Sequence, residues 1–311
     1  MKAGAVLAPR IVVVGSANID LMLLVPRWPR PGETVNGRDF AVAPGGKGAN
    51  QAVAAARLGG SVTFVGCVGD DTFGAQCVSA LHDNHVDTSH VHVLRGAATG
   101  VAMVLCDEAG ENSIALAPGA NHLLSRVHVD AAADAIEQAD LMVCQLESPL
   151  DVILHALSLA QRKNVATLLN PAPARPLADD ALKGLRFLVA NATEAELMSG
   201  IEVVCPASAA LAARALLNKG VATVLLTLGA AGAVVADADG ITHLPAPPAK
   251  AIDTTGAGDT FIGAFSSVWS RSGSTMEAVR YAQIAAAFSV EGRGAQASMP
   301  WSSQLSMSAS D

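Results

Sequence analysis

The chain has 311 residues, is 51% hydrophobic and 15% charged, and carries a formal net charge of -8. That apolar content fills one large α/β domain or two domains, and an acidic balance without a basic run argues against a nucleic-acid partner. No apolar run reaches membrane-spanning length, so no membrane partner is expected. Lys2 and a few apolar residues are interrupted by Pro9-Arg10, which is not a convincing signal peptide, and a cytoplasmic location is expected. Cys67, Cys77, Cys106, Cys144 and Cys205 are odd in number, scattered and without a C-x-x-C spacing. They read as small core residues in a reducing compartment rather than as disulfides or a metal site. No internal repeat of fixed period is evident.

In chain order, Ile11–Val14 followed by Gly15 is a β-branched run of the kind buried on both faces of a parallel sheet. Similar runs recur at Val62–Val68, Leu141–Gln145, Ala166–Asn170, Phe187–Asn191 and Val221–Thr227. Between most of them lie helix-period stretches such as Ala75–His82 and Val152–Arg162. The alternation predicts βαβ units around a mainly parallel central sheet flanked by helices. Two segments break it. Leu21–Ala43 carries Pro26, Pro29, Pro31, Gly32 and Gly37, and Gly100–Asp107 with Asn112–Pro118 reads as a hairpin joined through Glu108–Glu111. Together they suggest a small separate β-sheet where a lid would sit: residues 21–43 and 99–118, against a main domain of 1–20, 44–98 and 119–311. Ser302–Asp311 is Ser-rich with no periodic apolar face and is expected to fray.

Polar residues gather just past the carboxyl ends of the strand runs: Asn18 and Asp20, Glu147, Asn170, Asn191 and Glu194, then Thr227 and Gly229. Ligands bind along that edge of open α/β sheets. Two glycine-rich stretches sharpen the reading. Gly45-Gly46-Lys47-Gly48-Ala49-Asn50-Gln51-Ala52 allows close backbone approach before a helix over Ala52–Leu58, yet it lacks Walker A spacing. Without G-x-G-x-x-G after the first strand, a nicotinamide site is disfavoured, and Lys47 and Asn50 suit the hydroxyls of a small polar ligand. Asp253-Thr254-Thr255-Gly256-Ala257-Gly258-Asp259-Thr260-Phe261 turns into a helix over Thr260–Val268. Such a turn points unpaired N–H groups and a helix dipole at one spot, which suits phosphate. Asp259 at its rim would stay ionised there and could take a proton from an attacking hydroxyl.

The two stretches together resemble the signature motifs of the ribokinase (PfkB-type) carbohydrate kinase family. The resemblance extends through Gly15–Asp20, Gln145–Pro149, Asn170–Ala174, Asn191–Glu194, Thr227–Gly229 and Gly294–Gln296, in order along nearly the whole chain. It implies a Rossmann-like α/β fold with a β-sheet lid, and ATP-dependent phosphorylation of the primary 5-hydroxyl of D-ribose. The family pattern places Asn18, Asp20, Gly46, Lys47, Asn50 and Glu147 on the sugar hydroxyls and makes Asp259 the general base. It makes Gly256, Ala257 and Gly258 the anion hole for the γ-phosphoryl group. Asn191 and Glu194 go with phosphate and magnesium, Glu194 through water, while Thr227, Gly229, Gly258 and Gln283 go with the nucleotide.

The resemblance also implies activation by potassium at Asp253, Thr255, Ser289, Gly292, Gly294 and Ser298, and a homodimer formed through the lid. The residues alone support the cation too, since a glycine-containing loop at Ser289–Ser298 can turn carbonyls towards one point near the Asp253 carboxylate. Other acceptors remain open: deoxyribose, fructose or a nucleoside such as adenosine, for which Trp28 or Phe40 would have to supply a platform. A sugar-binding regulator without catalysis is disfavoured, because a binder has no need of Asp259 beside an anion hole.

Overall fold

The computed structural model describes residues 8–107 and 112–308. The expected join of the hairpin at Glu108–Glu111 and the N-terminal residues 1–7 lie outside them. The first β-branched run forms β1 (Arg10–Val14), and the chain leaves the layer at once for β2 (Asn18–Leu24) and β3 (Arg38–Gly45). It returns through α1 (Lys47–Arg57), β4 (Ser61–Gly69), α2 (Thr72–Asp83) and β5 (Asp87–Leu94). A second excursion, β6 (Gly100–Cys106) and β7 (Asn112–Ala117), precedes the short helices α3 (Arg126–Asp130) and α4 (Ala133–Glu137).

Regular alternation follows: β8 (Leu141–Cys144), α5 (Leu150–Arg162), β9 (Ala166–Leu169), β10 (Phe187–Asn191), α6 (Ala192–Ser199), α7 (Pro206–Leu217) and β11 (Thr223–Thr227). An edge hairpin, β12 (Ala233–Asp237) and β13 (Gly240–Leu244), leads to α8 (Ala257–Ser272), α9 (Thr275–Ser289), α10 (Ala295–Ser298) and α11 (Ser302–Ser308).

The large sheet has nine strands in the order β13-β12-β11-β10-β9-β8-β1-β4-β5, parallel except for the β12–β13 hairpin. The chain winds one way from β1 to β4 and β5 and the other way from β8 to β11. The switch point of the sheet therefore lies between β1 and β8, the usual place for a ligand crevice. The excursions pair with each other as a four-stranded sheet, β3-β2-β6-β7, in which β2 and β6 run parallel. Its strands extend to Asn18 and Gly45, beyond the segment read as irregular, so Asn18 and Asp20 open a strand of the small sheet rather than trail the first strand of the large one.

Helix α8 shows why the two layers hold together. Phe261, Ile262, Phe265 and Val268 recur on one face and are buried, each worth about 1.5–3 kcal/mol in removal from water. Phe265 meets Phe187 of β10 edge-on at 4.9 Å between ring centroids. The side of α8 towards α1 carries Gly263, where a Cβ would come within 2.6 Å of Ala55 N. Helix α1 answers with Ala52, Ala54 and Ala55. Small residues on both sides bring the backbones together, and the N-terminal turns of the two helices meet.

Two expectations need correction. Over Ser302–Ser308 the tail is helical rather than frayed, with Leu305 buried in the core beneath α9 and Trp301 N donating to Gln304 Oε1 at 2.7 Å, while residues 309–311 lie outside the described residues. One apolar anchor and a first-turn cap suffice where periodicity was too short to register. The five cysteines are all free, but Cys205 is exposed at the start of α7 and Cys106 only partly covered, so they are not uniformly core residues.

Candidate active site

The site is assembled where α1 and α8 begin. Gly46 caps α1 with φ 88°, and a Cβ there would meet Asn18 N at 2.8 Å, so only glycine lets β3 turn into the helix against β2. Gly256 caps α8 in the left-handed region with φ 76°. Beyond its chain neighbours and its own helix backbone, no atom of the described residues lies within 4 Å of where a side chain would start at Gly258, which leaves that face of the first turn of α8 open.

Asp259, in the same turn, is 8% exposed and is gripped by α1: Asn50 Nδ2 donates to its Oδ2 at 3.0 Å and Gln51 Nε2 to its Oδ1 at 2.9 Å. These partners are held in turn. Gln296 Nε2 donates to Asn50 Oδ1 at 3.0 Å, Gln145 Nε2 to Gln51 Oε1 at 2.6 Å, and Gln51 Nε2 also to Asn170 Oδ1 at 3.2 Å. Asn170 Nδ2 donates to Val189 O at 2.9 Å.

Beside this network, Glu147 Oε2 accepts from Ser16 Oγ at 2.6 Å and from Lys47 N at 3.1 Å. Asn18 is buried, and its Oδ1 accepts from Asn121 Nδ2 at 2.7 Å. Four carboxylates act on Lys47: burial disfavours its charge, but Asp259, Glu147, Glu194 and Asp20 outweigh burial and raise its pKa. Asp20 is pushed up to about 6, first by burial and then by Glu147 and Asp259, with Lys47 pulling the other way. The helix start was expected to keep Asp259 ionised. Burial instead moves its pKa above the ordinary value, although Lys47 and the bonds from Gln51 and Asn50 oppose that shift.

The structure thus brings Asp20, Lys47, Asn50, Glu147, Glu194 and Asp259 into one electrostatic neighbourhood, with Gly46 and Gly256–Gly258 as its backbone walls. Asn191 and Glu194 form a reciprocal cap on α6: Asn191 Oδ1 accepts from Glu194 N at 2.8 Å, and Glu194 accepts from Asn191 N at 2.9 Å and from Nδ2 at 3.0 Å. Asn191, Thr227 and Gly229 line a cavity of about 270 Å³ with Val203, Val204 and Cys205. Gln283 does not line it; its Nε2 donates to Leu244 O at 2.8 Å and ties α9 to the end of β13.

Asp253 joins two loops: its Oδ1 accepts from Thr255 N at 2.9 Å and its Oδ2 from Gly294 N at 2.8 Å. Burial opposes its ionisation, but the bonds from Thr255 and Gly294 and the charge of Arg293 hold its pKa below the ordinary value. Ser289 and Ser298 turn their hydroxyls back to carbonyls of their own helices, and Gly292 packs on Ser298.

Gln51, Gln145, Asn121, Ser16 and Gln296 were not among the candidate residues. Ser16, Gln51, Gln145 and Gln296 all stand inside the quoted motifs, so the available signal was a polar side chain within a motif whose role was not assigned.

Residues 8–302 match the model of the pfkB family carbohydrate kinase, and the chain belongs to this family. It is 42% identical over 290 residues to a ribokinase of Haemophilus influenzae, covering 93% of this chain and 95% of that protein. It is 38% identical over 291 residues to a deoxyribokinase of Salmonella typhimurium, covering 93% and 95%. A ribokinase of Arabidopsis thaliana, solved with ribose and ATP, has the same fold at a TM-score of 0.91 and 31% identity, over 97% of this chain and 98% of that one.

Proposed function

We propose that the chain transfers the γ-phosphoryl group of ATP to the primary 5-hydroxyl of D-ribose. The observation that carries the reading is Asp259, a buried carboxylate fixed by α1 while it stands in the open, glycine-walled first turn of α8. The ribokinase relatives, and a similar structure complexed with ribose and ATP, support ribose and ATP as the substrates. Asn18, Asp20, Gly46, Lys47, Asn50 and Glu147 bind the sugar hydroxyls. Asp259 accepts the proton of the 5-hydroxyl as its oxygen bonds to the γ-phosphorus and the bond to the β,γ-bridging oxygen breaks, releasing ADP. The N–H groups of Gly256, Ala257 and Gly258 receive the transferring group, so catalysis is chiefly positioning and charge neutralisation.

The nucleotide lies over Asn191, Thr227 and Gly229, with Gln283 bracing the neighbouring edge hairpin. Glu194, burial of which raises its pKa, faces Lys47 and Asp259 and fits a water-mediated magnesium ligand. Magnesium bound with ATP would neutralise phosphate charge. For potassium, the fit lies in the ionised Asp253 carboxylate between two loops rich in backbone carbonyls, with Thr255, Ser289, Gly292, Gly294 and Ser298 around it. Held there, the ion would steady the Gly256–Gly258 turn, so kcat should fall in a bulky organic cation buffer and Asp253→Ala should abolish the difference.

The small sheet, residues 21–43 and 99–118 with the flanking strand ends, serves as a lid on the main domain. Its exposed Phe40, Val42, Met103, Ile114 and Leu116 form the contact of a homodimer. The test is a coupled assay over ribose, deoxyribose, fructose and adenosine with ATP. Ribose should give the highest kcat/KM. Preference for deoxyribose would move the chain to that branch of the family, and no turnover with any of the four would contradict the kinase reading.

A further inference from the structure

The grip on Asp259 has a polarity that its own charge imposes. An ionised carboxylate only accepts hydrogen bonds, so Gln51 has to present Nε2 to Asp259 Oδ1. The two N–H groups of that amide are then both committed, one to Asp259 and one to Asn170 Oδ1 at 3.2 Å. Asn170 cannot reverse, because its own Nδ2 donates to Val189 O. The Gln51 oxygen faces Gln145, which must therefore present Nε2, at 2.6 Å. The consequence is an acceptor with nothing to accept: Gln145 Oε1 is buried and has no hydrogen-bond partner among the described residues, pressed towards Gly15. An unpartnered acceptor of this kind is costly in a buried site. Both side chains are 1% exposed, so neither amide is retained for contact with water.

We propose that Gln51 is a positioning residue for Asp259, and that Gln145 fixes which end of the Gln51 amide faces the carboxylate. The proposal rests on Asp259 being the base. Gln51 on Oδ1 and Asn50 on Oδ2 hold both oxygens of the carboxylate, and these bonds oppose the rise in pKa that burial imposes. The other charged groups that face Asp259 are Lys47 of α1, Glu147 after β8, Asp20 of β2 and Glu194 of α6. None of them is altered by changing Gln51 or Gln145. The orphaned oxygen of Gln145 is what the relay leaves behind at its far end.

The test compares Gln51→Met and Gln145→Met, similar in volume, with the wild-type enzyme and Asp259→Asn. The readouts are kcat against pH at saturating ribose and MgATP, and the carboxyl titration of Asp259 by carbon NMR in aspartate-labelled enzyme without substrate. A cooperative melt and retained ribose binding establish that each variant is folded. Should Gln51→Met fail that check, Gln145→Met, which never touches Asp259, carries the test. Loss of a donor to a charged acceptor should move the acid limb of kcat and the Asp259 titration upward by about one pH unit in Gln51→Met. The shift in Gln145→Met should have the same direction and be smaller. Unmoved profiles in either folded variant, with Asp259→Asn inactive, would overturn the proposal and leave Asp259 as the base. Near wild-type turnover in Asp259→Asn would overturn the reading beneath it.

Discussion

The two ends of the candidate site are built differently. On the sugar side, side chains far apart in sequence bind one another: Asn50 and Gln51 hold Asp259, and Ser16 holds Glu147. Among the candidate nucleotide residues, Asn191 satisfies itself locally with Glu194 three residues on, and Thr227 reaches only the backbone of the adjacent strand rather than a side chain of the site. A group bonded across elements is fixed before the ligand arrives, and its own hydrogen bonds are lost when one partner is changed. A group bonded within its own turn keeps its place whatever happens across the cleft. The sugar side should therefore be exacting, and the nucleotide side tolerant.

The largest contrast should come from Asp20→Ala. A half-buried carboxylate in the proposed role of accepting sugar hydroxyls is worth roughly 10- to 100-fold in affinity, so KM for ribose should rise by about that factor. KM for ATP should stay within about threefold. Equal losses for both substrates would erase the division into two sides. The same residue gives a pH signature. With its pKa pushed up to about 6, Asp20 is ionised above that value and protonated below it. KM for ribose should climb by up to about tenfold per pH unit as pH falls below 6, and Asp20→Asn should flatten the climb. A flat KM in the wild-type enzyme over roughly the first pH unit below about 6 would remove Asp20 from sugar binding.

A middling effect is expected at the helix crossing that brings the sugar side together. Gly263→Val forces side-chain atoms into the backbone of Ala54 and Ala55, and overpacking of this kind costs about 1–3 kcal/mol. A melting temperature lower by several degrees should accompany a fall in kcat out of proportion to any change in KM for ATP. Unchanged melting would mean that α1 and α8 are not packed this closely. The smallest effect belongs to the tolerant side. Cys205 is the exposed cysteine, and hydrogen bonds from Ser208 and the start of α7 lower its pKa, so an alkylating reagent should modify it first. MgATP should slow that reaction a few fold and ribose should not, because Cys205 lines the cavity of Asn191 and Thr227. Protection by ribose alone would place the sugar in that cavity instead.

The sequence was most readable where local pattern and chemistry coincide. The β-branched runs became β1, β4 and β8–β11, because strands buried on both faces need no alternation to be recognised. The two glycine-rich stretches marked the starts of α1 and α8, and with them Lys47, Asn50 and Asp259. What escaped notice depends on distant pairing. The edge strand β13 and the half-exposed β5 lack a uniform apolar run. Asn18 and Asp20 look like loop residues until β6, some eighty residues later, lies beside them. The amide network is the clearest case. A glutamine in a helix is ordinary, and only the fold reveals that Gln51 points at Asp259 and Gln145 at Gln51.

The most direct measurement of the central claim is Asp259→Asn, assayed in parallel for ribose binding by calorimetry and for single-turnover phosphoryl transfer. The substitution keeps the shape of the side chain and removes the base. The account predicts a folded protein that binds ribose within a few fold of wild type and transfers phosphate at least about 10²-fold more slowly, the usual scale of general-base help. Transfer at the wild-type rate in a verified Asp259→Asn preparation would contradict it.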